Sequence, residues 1–143
     1  MPIVIALIGM SFVSRASEAP VKFLEAVIIT LLFFLGSTMR IWAIAQLGVL
    51  RFKFNIAFRD KQTLKTDGLH SLMRHPTYTA MMLVVVAYAI TTHSWVAGTL
   101  GILLAMFGFQ FRIYFEEIAL QEQYGKEYER YRANTPMWLP FLY

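Results

Sequence analysis

VKFLEAVIITLLFFLGSTMRIWAIAQLGVL, residues 21–50, is an apolar run in which Lys22, Glu25 and Arg40 are the only charged side chains. Backbone N–H and C=O groups in hydrocarbon must be satisfied within the segment, so such a run is a helix. A bilayer core about 30 Å thick takes roughly 20 helical residues, which leaves this run long enough to cross with a tilt. The bilayer is therefore the solvent in which the chain folds. Composition agrees: of 143 residues, 57% are hydrophobic and only 15% charged, too apolar for water and unlike the polar, aromatic-poor chains that stay disordered.

Outward from that run, three further segments qualify as spans. Residues 2–14 are apolar but short, 78–92 are short, and 95–114 are of ordinary length. The N-terminus has no basic stretch ahead of its apolar run and no small-residue cleavage site, so the expectation is a retained span rather than a removable leader. The 13 Lys and Arg residues flank the apolar runs instead of gathering on a polar domain, which argues for topology and against nucleic acid. Six lie between Arg51 and Arg74 and four from Arg112 onward, whereas the turn between the first two spans carries only Arg15 and Lys22 and the turn 91–94 carries none. The expected fold is thus an all-α integral membrane protein with about four transmembrane helices. It is a single domain over 1–143, with spans near 2–14, 21–50, 78–92 and 95–114, a cytoplasmic connector 51–77, and both termini cytoplasmic.

Ala97, Gly101 and Ala105 recur every four residues with Gly108 close to the same face, a pattern that lets helices approach closely. That face suits packing within the chain or between two chains, and the oligomeric state stays open between them. Beyond Tyr114 the composition turns polar, yet Glu117, Leu120, Tyr124, Tyr128 and Tyr131 keep helical spacing. This predicts a cytoplasmic helix over 115–143 packed at the membrane surface, interrupted at Gly125 and ended by Pro136 and Pro140. There are no cysteines, and His70, His75 and His93 lack partners at metal-ligand spacing, so no metal is expected. No phosphate-binding glycine loop is present.

Two polar clusters fall at one expected membrane surface. Arg74-His75-Pro76-Thr77-Tyr78 opens the third span, and Arg112 with Glu116-Glu117 closes the fourth. A helical hairpin sets its open ends side by side, so an Arg, a His, a Tyr and two carboxylates converge on one shallow pocket. Pro76 costs no hydrogen bond in a first helical turn. Arg40, about 15 Å by helical rise from the end of its span, either faces a polar cavity or snorkels.

Together with Glu116-Glu117-Ile118-Ala119-Leu120, the run from Tyr124 to Tyr131, Leu139-Pro140, Arg40-Ile41-Trp42-Ala43 and Leu47-Gly48, these residues resemble the isoprenylcysteine carboxyl methyltransferase family over roughly 38–143. The resemblance implies a membrane methyltransferase that uses S-adenosylmethionine and yields S-adenosylhomocysteine. It implies a lipophilic acceptor entering from the bilayer, with membrane lipids as surroundings. It places Arg74, Glu116 and Glu117 at the reaction centre. It brings His75, Tyr78, Glu117, Tyr128 and Tyr131 to the cofactor, with Glu117→Gln weakening cofactor binding without unfolding. Ala80 stands where the family usually has Gly, and Leu69-His70-Ser71-Leu72-Met73 replaces a Tyr-Arg-containing run. Cofactor binding tolerates these departures better than acceptor specificity does. A phospholipid amine methyltransferase and a non-catalytic membrane protein are the competing readings.

Overall fold

The computed structural model describes residues 7–11, 22–47 and 63–138, and every regular element among them is helical. Residues 7–11 are helical, followed by α1 (Phe23–Leu47), the one-turn α2 (Leu69–Leu72), α3 (Pro76–Ile90), α4 (Trp95–Tyr124) and α5 (Lys126–Asn134). Residues 51–62 of the expected connector, most of the expected first span, and Leu139-Pro140 lie outside the described residues.

Local chemistry sets the helix ends. At the start of α1 the Glu25 carboxylate accepts from the Lys22 backbone N–H at 3.2 Å, satisfying one of the donors a helix leaves free. Pro76 occupies the first turn of α3. Ser94 caps α4, its hydroxyl accepting from the Ala97 N–H at 3.3 Å. The helix continues out of the expected fourth span as the spacing beyond Tyr114 predicts: with no Gly or Pro between Phe109 and Tyr124, it runs unbroken for 30 residues. It ends only at Gly125, whose φ of +52° with ψ of −122° is open to glycine and costs a residue with a Cβ about 1–3 kcal/mol. The third helix starts at Pro76, the expected first-turn residue, and ends at Ile90, where Thr91 and Thr92 turn back onto Tyr88 and Ala89 by hydroxyl-to-carbonyl hydrogen bonds of 2.7 and 2.8 Å.

Two of these helices, α1 and α4, are long and apolar enough to cross a membrane, and α3 is apolar but shorter. Their outward faces carry Leu24, Leu31, Phe34, Leu35, Ile41 and Trp42 on α1, and Leu100, Phe107, Phe111 and Tyr114 on α4. All are more than half exposed, as suits hydrocarbon surroundings. Small residues seat the inward faces. At Gly36 a Cβ would lie 2.7 Å from the Ala80 carbonyl oxygen, so α1 and α3 meet backbone to backbone there. Of the stripe on α4, Gly101, Ala105 and Gly108 are buried within the chain, Gly101 leaving room for the Met10 side chain, and the neighbouring Gly98 lies under Ala89. The core of Met10, Tyr78, Val85, Ala89, Ala105, Phe109 and Ile113 runs between α3 and α4 and ends at Tyr78, where the polar residues begin.

Candidate active site

The N-terminus of α3 and the polar third of α4 come together as hairpin neighbours, and the segment after α5 folds back over both. The backbone N–H groups of Arg74 and His75, which precede the helix and have no partner inside it, donate to the carbonyls of Pro136 and Met137 at 2.8 and 3.2 Å. Thr79 adds a hydroxyl bond of 2.6 Å to the Trp138 carbonyl. The Arg-His-Pro motif is thereby held by the tail's main chain.

Arg74 and Glu117 form the innermost pair. The guanidinium donates to Glu117 Oε1 from Nε at 2.9 Å and from Nη2 at 2.8 Å, with side chains only 8% and 10% exposed. Its Nη1 donates to the carbonyls of Arg132 and Thr135 at 3.0 and 2.7 Å, so the group is paired on both edges. His75 is buried against the same carboxylate, with Nε2 at 3.3 Å from Glu117 Oε1, and Arg132 approaches Oε2 at 3.7 Å. Glu117 thus ties α3, α4 and α5 to one another.

Glu116 is adjacent in sequence but, being a helix neighbour, points about 100° away. Its Oε1 accepts from the Tyr78 hydroxyl at 2.5 Å and lies 3.2 Å from Arg112 Nε, while Arg112 Nε also donates to the Tyr78 hydroxyl at 3.0 Å. This second group is more open, with Glu116 25% and Arg112 41% exposed. His75 lies between the two glutamates, its Nδ1 at 3.9 Å from Glu116 Oε2. Sequence reading gave Arg112 no individual role, although its spacing of four residues before Glu116 carried the signal of a helical pair.

The two tyrosines of α5 are placed differently from one another. Tyr131 donates its hydroxyl to the His70 carbonyl at 2.5 Å, and burial raises its pKa. Tyr128 is fully buried, and among the described residues its hydroxyl meets no hydrogen-bond partner at good geometry. Burial, with the Glu117 charge beside it, raises the Tyr128 pKa as well. The structure gathers Arg74, His75, Tyr78, Glu116, Glu117, Tyr128 and Tyr131 at one end of the hairpin. Among the described residues no group of three His, Cys, Asp or Glu side chains is arranged to hold a metal ion.

Residues 24–127 match the phospholipid methyltransferase family model. The chain is also similar to curated proteins with one kind of name. A probable protein-S-isoprenylcysteine O-methyltransferase of Oryza sativa subsp. indica is 31% identical over 61% of this chain and 46% of its own. The protein-S-isoprenylcysteine O-methyltransferase of Schizosaccharomyces pombe is 29% identical over 76% of this chain and 46% of its own. The Mus musculus protein of that name is 30% identical over 58% of this chain and 29% of its own. The matches thus span less than half the length of these relatives.

Proposed function

Because the chain belongs to the phospholipid methyltransferase family and resembles the isoprenylcysteine O-methyltransferases, we propose that it transfers a methyl group from S-adenosylmethionine to a lipophilic acceptor at the membrane surface. The favoured acceptor is a prenylcysteine-like carboxylate. The observation that carries this reading is the partly open Tyr78–Glu116–Arg112 group set against the closed Arg74–His75–Glu117 group.

The residues fit such a cofactor. When bound, S-adenosylmethionine supplies an electrophilic methyl on a cationic sulfonium. Glu116, with the rings of Tyr78 and His75 5.9 Å apart beside it, offers the carboxylate and aromatic faces that favour a cation. The buried Tyr128 hydroxyl, beside Glu117 but without a well-directed hydrogen bond to it, and with Tyr131 at 6.1 Å ring to ring, offers a polar atom to a ligand in this place. His75, Tyr78, Glu117, Tyr128 and Tyr131 are the proposed cofactor residues. Arg74, with every edge of its guanidinium engaged by protein, acts by fixing Glu117 and the tail. Arg112, partly exposed and bonded to Tyr78 and Glu116, is the proposed guanidinium for an anionic acceptor.

An acceptor carboxylate is already ionised near neutral pH, so no general base is needed and these residues act by alignment and exclusion of water. The family description favours one second reading, a phospholipid amine acceptor. An amine needs a base, and His75 or Glu116 is nearest. Labelled methyl groups followed into lipid extracts separate the two acceptors. The same proposal includes four crossings with both termini cytoplasmic, supported by the distribution of Lys and Arg, and tested by labelling single introduced cysteines from each side of sealed vesicles.

Calorimetry of S-adenosylmethionine binding to detergent-purified protein tests the reading, with Tyr78→Ala as control. Binding by the parent and its loss in the variant is expected. A well-folded parent that does not bind points instead to a non-catalytic membrane protein.

A further inference from the structure

Arg40 lies in the apolar body of α1, about 10 Å by helical rise before its end at Leu47, and takes no part in the polar groups above. Among the described residues its guanidinium makes no hydrogen bond and no ion pair. Its neighbours Ile41 and Trp42 are more than half exposed on the outward face, whereas Arg40 is half-buried between Gly36 and Ala43, which are both buried. An unpaired cation inside a span is costly, and residues of this kind turn inward to meet a counter-charge or a polar cavity.

The packing of α1 on α3 fixes what Arg40 faces. Gly36 meets Ala80 and Val84, and nearer the end of α1 Gln46 Oε1 accepts from the Leu69 N–H at 3.0 Å, so α1 and α3 run antiparallel. At about 100° per residue, Arg40 is turned roughly 40° from Gly36 and Thr77 roughly 60° from Ala80. In antiparallel helices these two rotations lead to the same flank of the contact, each about one turn toward the polar end. Thr77 is half-buried, and among the described residues its hydroxyl makes no hydrogen bond, whereas Thr38 and Thr79 donate theirs to backbone carbonyls. Two turns deeper on the Arg40 side of α1, Phe33 is more than half exposed. The flank thus offers a guanidinium and a hydroxyl at one level and apolar surface below them. Tyr78, on the other side of α3, packs against Phe109 of α4, so this flank is separate from the polar groups at the end of the hairpin.

We propose that Arg40 and Thr77 bind the phosphate of an anionic phospholipid whose acyl chain lies along α1 past Phe33. The guanidinium suits a phosphate held by two parallel hydrogen bonds, and the lipid supplies the counter-charge that the fold does not. The proposal rests on the membrane setting of α1, not on which acceptor is methylated.

Native mass spectrometry of the full chain in neutral detergent tests the site, with dioleoylphosphatidylglycerol, dioleoylphosphatidylcholine and inorganic phosphate as probes. Arg40→Met should weaken phosphatidylglycerol binding roughly ten- to a hundredfold and Thr77→Val roughly three- to tenfold, while the surface variant Lys126→Gln stays within about twofold. Without lipid, Arg40→Met should unfold no lower than the parent, since it loses an unpaired cation, and phosphatidylglycerol should raise the parent's Tm more than the variant's. Equal phosphatidylglycerol binding by the parent and Arg40→Met overturns the site, as does an equal loss in Lys126→Gln, which marks general charge attraction. A lipid-free Arg40→Met protein that unfolds well below the parent also overturns it, by showing that Arg40 is paired within the fold. Phosphatidylcholine bound as tightly as phosphatidylglycerol overturns the anionic preference, and inorganic phosphate bound as tightly as the lipid makes the ligand a free anion instead.

Discussion

Glu117→Gln is the substitution on which sequence and structure disagree most. A carboxylate expected at the reaction centre and the cofactor could be neutralised without harm to the fold. In the structure, Glu117 faces Arg74 with both side chains about nine-tenths buried, and also meets His75 and Arg132. Removing one member of a buried ion pair typically costs 3–5 kcal/mol, because the remaining charge keeps its desolvation penalty. Gln retains one oxygen that can accept from the guanidinium, and Arg74 keeps its bonds to the Arg132 and Thr135 carbonyls, so the lower end applies. The expected loss is about 3 kcal/mol, a fall in Tm of roughly 10 °C, read by thermal unfolding of detergent-purified protein. Arg74→Met combined with Glu117→Leu removes both charges and should be clearly less damaging than the sum of its two single variants. A Glu117→Gln protein that unfolds with the parent, or a double variant as unstable as that sum, would refute the assignment of Glu117 as a structural counter-charge.

Three further outcomes follow from the packing. His70 is 7% exposed, and burial lowers its pKa to about 4. The folded chain therefore holds it neutral while the unfolded chain protonates it below about pH 6.5, so stability falls as pH drops from 6.5 to 4, by at most roughly 3 kcal/mol, and His70→Gln should flatten that slope in unfolding measured across pH. Gly36→Ala places a methyl 2.7 Å from the Ala80 carbonyl and 2.9 Å from Val84, and overpacking of this kind should lower stability by about 1–3 kcal/mol, seen as a lower Tm. Gly125→Ala meets no neighbouring atom within 4 Å, so its cost should be only that of the positive-φ backbone, about 1–3 kcal/mol, and equal Tm values would show that the turn relaxes.

The sequence by itself determined the solvent and the helices. Apolar runs around residues 21–50 and 95–114 are local facts, as are Pro76, Ser94 and Gly125, which act within one turn of their own positions. It also named the polar residues that cluster, since a hairpin brings the start of one helix beside the end of the next. The end of α4 at Gly125 was legible too, because the change from apolar to polar residues after Tyr114 changes which solvent a helix meets without breaking its spacing. What each residue does in the cluster was decided only by tertiary structure. Glu116 and Glu117 are equivalent in the sequence, but the helix turn between them sends one to Tyr78 and Arg112 and the other into the buried pair with Arg74, 43 residues away. The return of residues 135–138 onto Arg74, His75 and Gln110 likewise rests on main-chain carbonyls and an indole N–H. Such groups leave no periodicity in the sequence, because their partners are fixed only when the helices have packed.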